Sequence, residues 1–143
     1  MAYCTLDDLL EKISEEELIA ITDDDGVGVV DTARAGRAID DADAEIDSYC
    51  GRLYKVPFDP VPAMIRKTAV AIAVYNLFQG RHGAPDDRLR DYNNAVAFLR
   101  AAAKGDVTLG VSPAPAAPAE TTAAAAKLST RTKIFGSDTM EKY

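Results

Sequence analysis

The 143-residue sequence is short of the side chains that carry most chemistry, with a single histidine and only two cysteines. General-base catalysis needs a histidine beside an orienting carboxylate and a nucleophile. His82 sits between Arg81 and Gly83 with no such neighbours, and reads as an exposed turn residue. Cys4 and Cys50 lack a further Cys or His at ligand spacing, which excludes a zinc site and a disulfide framework. Both read as free, largely buried thiols in a reducing cytoplasm. No glycine-rich phosphate loop leads into Lys-Ser or Lys-Thr, and no dinucleotide fingerprint follows a strand. The expectation is a chain that is not an enzyme, has no catalytic residues and takes no cofactor.

Positive charge is also scarce. Sixteen Lys and Arg against 23 Asp and Glu leave a net charge of −7, which opposes binding to DNA through a broad phosphate-neutralising surface and to an anionic membrane. The start "MAYCTLDDLL" has no basic segment followed by an apolar run. The most apolar stretch, "AVAIAVYNLF", is far short of the roughly 20 residues that cross a bilayer. A soluble, unexported chain is therefore expected. At this length, with 48% hydrophobic residues, it can bury one core but hardly two.

What the sequence does have is helical periodicity. Thr5 is placed to cap a short helix that begins with Asp7 and Asp8 and carries Leu6, Leu9, Leu10 and Ile13 on one face. Ser14 followed by Glu17 forms a capping box for a second short helix with Leu18, Ile19 and Ile21. From Asp31 to Cys50, apolar side chains recur at three- and four-residue spacing through Ala35, Ala38, Ile39, Ala42, Ile46 and Tyr49, with Gly51 as C-terminal cap. "YKVPFDPVPAM" is held extended by its prolines, and Pro62 is placed as the first residue of the next helix. That helix, roughly Ala63 to Gln79, is apolar over a wide surface and is expected to be the most buried. A last helix begins at Pro85, Asp86 and Asp87, aligns Leu89, Tyr92, Val96, Leu99 and Ala103 in one stripe, and closes at Gly105. The fold class is all-α, a small bundle of about five helices, with a short β-prone segment at "DVTLGV".

Composition divides the chain into a helical domain at 1–111, an Ala/Pro-rich linker at 112–127 that offers no pattern able to pack, and a C-terminal docking arm at 128–143. The arm restores Leu128, Ile134, Phe135, Met140 and Tyr143, together with Arg131. From Ser112 onward the net charge is +1, against −8 for the remainder. A mildly basic arm with large apolar residues is suited to lie on an acidic neighbour. It is expected to order on assembly, with Phe135 and Met140 as buried anchors.

Two acidic clusters invite a site. In "TDDDGVGVVD" the calcium-loop register puts Asp23 at position one, Asp25 at three, Val27 at five, Gly28 at the glycine position, Asp31 at nine and Arg34 at twelve. Such a loop needs oxygen at five and a bidentate acid at twelve. Val27 and Arg34 stand there instead, so Asp23, Asp25 and Asp31 are at most weak metal candidates. The stronger reading is a glycine turn with Asp31 capping the following helix. The second cluster, Asp40, Asp41, Asp43, Glu45 and Asp47, spreads over what should be the solvent face of the long helix. It is either a solubilising face or an acidic lumen face that repels DNA phosphates.

Taken together, the "TDDDGVGVVD" loop, "AEIDSYCGRLYKVPFDPVP", the apolar helix after it, "RLRDYNNAVAFLRAAAKGDVTLGV" and the ending "TKIFGSDTMEKY" resemble the Mu-like phage family of neck proteins, the head-tail connectors or adaptors. The resemblance runs from Tyr3 to Gly110 and resumes at Arg131. Members often carry a loop nearer to Asp-x-Asp-Gly-Asp-Gly-x-Ile-Asp, from which this chain departs at Val27. The resemblance implies a helical subunit of the virion neck that assembles in the host cytoplasm as a ring, commonly of twelve copies, below the portal protein. Genomic DNA would pass through without sequence-specific binding, and the arm would join portal to neck or tail completion proteins. A tail-side completion or terminator protein and a calcium-responsive module are the alternatives.

Overall fold

The computed structural model describes residues 2–80 and 83–115. Its described residues form five helices and no strand: α1 (Leu6–Lys12), α2 (Glu15–Thr22), α3 (Thr32–Cys50), α4 (Ala63–Gln79) and α5 (Asp86–Lys104). The small all-α bundle read from the periodicity is the observed fold. The arm residues and His82 lie outside the described residues.

Local chemistry sets the helix ends. The Thr5 hydroxyl accepts from the Asp8 amide at 3.3 Å while the Asp8 carboxylate accepts from the Thr5 amide at 2.7 Å, a reciprocal cap. At α2 only half of the expected box is present: the Ser14 hydroxyl accepts from the Glu17 amide. Asp31 caps α3 by accepting from the amides of Ala33 and Arg34, both at 3.0 Å. Gly105 ends α5 in the left-handed region at φ 82°. Gly51 is the C-cap of α3 but keeps right-handed geometry, so its value lies elsewhere: a Cβ there would stand 2.8 Å from the Asp47 carbonyl oxygen. Pro62 caps α4 from just outside it, one position earlier than the first helical turn.

α4 is the centre of the bundle. It packs most extensively on α3, then on α5, and also meets α1 and α2. Ile65, Ala69, Ile72 and Ala73 are fully buried along it, opposite Ala42 and Ile46 of α3 and Leu99 and Ala102 of α5. Small residues at these positions let the helix axes approach, and the large ones fill the gaps. Each Leu or Ile removed from water contributes about 1.5–3 kcal/mol before the chain entropy is counted.

Two expectations are corrected here. Val96 and Leu99 are buried as the stripe requires, joined by Ala95 and Ala102, while Leu89 is 39% exposed and Ala103 is only half-buried. Leu89 stands in the first turn of α5, ahead of the second half of the helix where all its buried residues lie. The segment "DVTLGV" forms no strand, because no strand partner exists among the described residues. It buries Leu109 on the core instead, and the Ala114 amide donates to the Leu53 carbonyl at 2.8 Å.

Candidate functional site

The acidic loop between α2 and α3 is a closed structural unit. Buried Thr22 donates its hydroxyl to the Leu18 carbonyl at 2.8 Å and accepts from the Asp31 amide at 3.2 Å, so one side chain joins the two ends of the loop. The Asp23 carboxylate accepts from the amides of Val27 at 3.1 Å and Gly28 at 2.7 Å. These amide bonds, Gly28 foremost, hold its carboxyl below the usual aspartate value. Gly26 and Gly28 take positive φ angles of 72° and 80°, which is what lets the backbone curl around that carboxylate.

The three candidate metal ligands do not converge. Asp23 faces loop amides, Asp31 faces the first turn of α3, and Asp25 is exposed. Among the described residues no group of three His, Cys, Asp or Glu side chains is arranged to hold an ion. Asp24 pairs with Arg34 at 2.5 Å, so the arginine at the twelfth loop position holds the loop to α3. The loop presents two apolar side chains outward, Val27 at 69% exposure and Val29 at 59%.

The acidic run on α3 is not a uniform solvent face, and this corrects the expectation. Asp40 and Asp41 are exposed, but Asp43, Glu45 and Asp47 are half-buried and bonded. Asp43 accepts from the Tyr3 amide through both oxygens at 3.2 Å. Asp47 accepts from the Tyr3 hydroxyl, and Glu45 accepts from the Tyr92 hydroxyl at 2.9 Å. Periodicity placed these acids opposite the apolar stripe, yet the N-terminal segment and α5 come over their flank. An acidic lumen face built from this run would be left with Asp40 and Asp41.

The thiols are buried and raised by that burial, Cys4 to about 12 and Cys50 to about 11. They stay protonated near neutrality and are poor nucleophiles. Tyr92, stacked on Tyr75 with ring centroids 4.1 Å apart, is pushed up to about 12 by burial and by its bond to Glu45.

One surface feature had no counterpart in the sequence reading. A groove of about 580 Å³ opens between α1, α4 and α5. Its floor carries Met64, Val70, Ala71 and Phe98, with Met64 44% exposed, and its rim carries the exposed cations Arg66 and Lys67. Lys12 and Asp91 form an ion pair of 3.2 Å between α1 and α5 beside it. The signal was present as Met64, exposed near the start of the most buried helix, but a lone exposed methionine is ordinary until a groove surrounds it.

With this geometry in view, comparison with known proteins is informative. A family model described as Bacteriophage Mu, Gp36 matches residues 3–127. The Mu-like prophage FluMu protein gp36 of Haemophilus influenzae is 37% identical over 83 residues, covering 58% of this chain and 57% of the relative. The chain thus aligns with little more than half the length of that curated relative.

Proposed function

The chain belongs to the family described as Bacteriophage Mu, Gp36, and on that premise we propose that it is a head-tail connector, an adaptor ring subunit between portal and tail. Membership supports a phage structural or morphogenesis protein, and the finer role rests on how the molecule is built. Its interior is committed to packing, with Leu9, Leu18, Ile46, Ile65, Ile72 and Leu99 fully buried. The observation that carries the reading is that this core closes within the helical unit, while Ile134, Phe135 and Met140 follow an Ala/Pro-rich stretch. Large apolar side chains after such a stretch suit a partner surface, because ordering them on a partner removes them from water. The subunit would form a homo-oligomeric ring, take the portal above and neck or tail completion proteins below, and let DNA pass without reading its sequence.

The test is a phage that makes the chain without residues from Leu128 onward. DNA-filled heads that fail to join tails are expected. Tails of abnormal length would instead favour a tail-side terminator, and normal infectious particles would overturn both readings.

A further inference from the structure

The last described contact of the chain holds it beside the groove. From α5, Asp91, Asn94, Ala95 and Phe98 line the groove. Gly105 stands two turns past Phe98 on the same face, about 10 Å further along the axis. A Cβ on Gly105 would meet the Leu53 side chain at 3.6 Å, and the Leu53 carbonyl accepts from the Ala114 amide at 2.8 Å. The chain that follows Ala114 therefore leaves the bundle at the end of the helix face that forms one wall of the groove.

We propose that the groove between α1, α4 and α5 is the resting place of the same molecule's arm, with Ile134 and Phe135 laid over Met64, Val70, Ala71 and Phe98 until a partner takes the arm away. The inference deepens the connector reading and rests on it for one point, that residues 128–143 are a docking segment. Three observations name the arm as the occupant. The floor is apolar and uncovered, with Met64 44% exposed and Val70, Ala71 and Phe98 half-buried, and the arm brings Leu128, Ile134, Phe135 and Met140. The reach is ample: Leu128 follows Ala114 by fourteen residues, and an extended chain of that length spans up to about 40 Å. The groove's far end at Asp91 lies only about 20 Å of helix from Gly105. The rim also repels neither sign of charge, since Asp8, Glu11 and Asp91 balance Lys12, Arg66 and Lys67, and the arm carries both signs, with Arg131 and Lys133 ahead of Asp138 and Glu141.

Tethering favours the molecule's own arm over a free ligand. A short flexible linker gives an effective concentration on the order of millimolar, so a contact too weak to hold two molecules together closes within one. Such a contact is also one that a larger partner surface displaces. The apolar side chains of the arm and of the groove would cover each other before assembly and part during it.

Spin labelling of the full chain tests this. Cys4 and Cys50 are buried, so a nitroxide maleimide near neutral pH takes only an introduced thiol, Ser137→Cys in the arm. The label should broaden the NMR signals of the Met64 methyl and of the Ala71 and Phe98 amides. It should leave Val27 and Val29 sharp, because their loop meets α4 at its other end, where Arg34 pairs with Asp24 and approaches Gly80. Ile134→Asp with Phe135→Asp should weaken the closed state at least about tenfold and return the groove signals toward full intensity, with the helical melt unchanged. Met64→Glu, at an exposed site, should do the same from the groove side. A mixture of spin-labelled chain with isotope-labelled chain that carries no spin label should show no broadening. Groove signals that stay sharp in the labelled chain would overturn the proposal, as would broadening that both variants leave intact. Equal broadening in the mixture would overturn it in favour of a second copy's arm. Each of these results leaves the connector reading to the arm-deletion phage, whose readout is head-tail joining.

Discussion

The Tyr3 hydroxyl donates to the carboxylate of Asp47, 44 residues along the chain, and so fastens the N-terminal segment to the C-terminal half of α3. The same oxygen accepts from the Phe58 amide at 3.1 Å, and the Tyr3 ring lies 5.8 Å from that of Phe58. Tyr3 is 1% exposed and Phe58 3%. One phenol thus serves two buried partners on two different segments. Tyr3→Phe would keep the ring and strand both partners, the Phe58 amide in a place water does not reach. A loss of about 1–3 kcal/mol in urea unfolding is expected. A loss below about 0.5 kcal/mol would show that water or a rotated neighbour satisfies the pair, against the burial described here.

Gly51 and Gly80 both follow helices with right-handed φ angles, and both would bring a Cβ to 2.8 Å of another atom. The obstacles differ in kind. At Gly51 it is the backbone carbonyl of Asp47, fixed by the α3 ladder, and at Gly80 it is the end of the Arg34 side chain. Backbone cannot swing aside, whereas a guanidinium can. Gly51→Ala should cost about 1–3 kcal/mol, and Gly80→Ala should fall within about 1 kcal/mol of the parent, because alanine also lowers the entropy of the unfolded chain. Equal losses from the two in parallel denaturant titrations would contradict this distinction.

How much of this was legible in the sequence depends on the reach of the interaction involved. Caps at Thr5, Asp31 and Gly105, the central place of α4 and the bounds Ala63–Gln79 follow from periodicity and near-neighbour chemistry, and each could be read directly. The Tyr3–Asp47 and Tyr92–Glu45 bonds are tertiary: helical spacing turns those acids from the core but cannot say that another segment will lie over their flank. The same limit hid the groove, whose walls come from three helices. At the loop, the substitution of Val27 for a ligand was legible, but its exposure was not. Only the folded loop shows that Asp23 engages the amides and so leaves the valines outside.

Asp23 and Asp43 should titrate on opposite sides of an ordinary aspartate. Backbone amides of Gly28 and Val27 lower Asp23, while burial, only partly offset by the Tyr3 amide, raises Asp43. For Asp23, the folded state favours the charged form, so its contribution to stability is present above the unfolded carboxylate value and is lost as pH falls through the folded one. For Asp43, the folded state favours the neutral form, so its contribution is present at low pH and is lost as pH rises through the folded value. Carboxyl carbon NMR titration reads both. Asp43→Asn should leave stability at neutral pH unchanged or higher, since an amide oxygen still accepts from the Tyr3 amide and the buried charge is gone. A clear loss at neutral pH would show that the carboxylate itself is required.

Cys50 gives the alkaline counterpart. Its side chain is fully buried, and burial, then the nearby Asp47 charge, raises the thiol from an ordinary 9.0 to about 11. Between those values the unfolded chain loses the thiol proton while the folded chain keeps it. Stability contributed by Cys50 is therefore fully present below pH 9 and declines as pH rises toward the folded value, by up to about 1.4 kcal/mol per pH unit. Cys50→Ala removes the titrating group and leaves a small cavity, which costs a constant amount at every pH. The stability gap between parent and variant should consequently be widest near pH 8 and narrow steadily up to pH 11, as measured by urea unfolding in a series of buffers. A gap that stays constant across that range would mean that the thiol ionises as readily inside the fold as outside, and that solvent reaches the junction of α3 with the N-terminal segment.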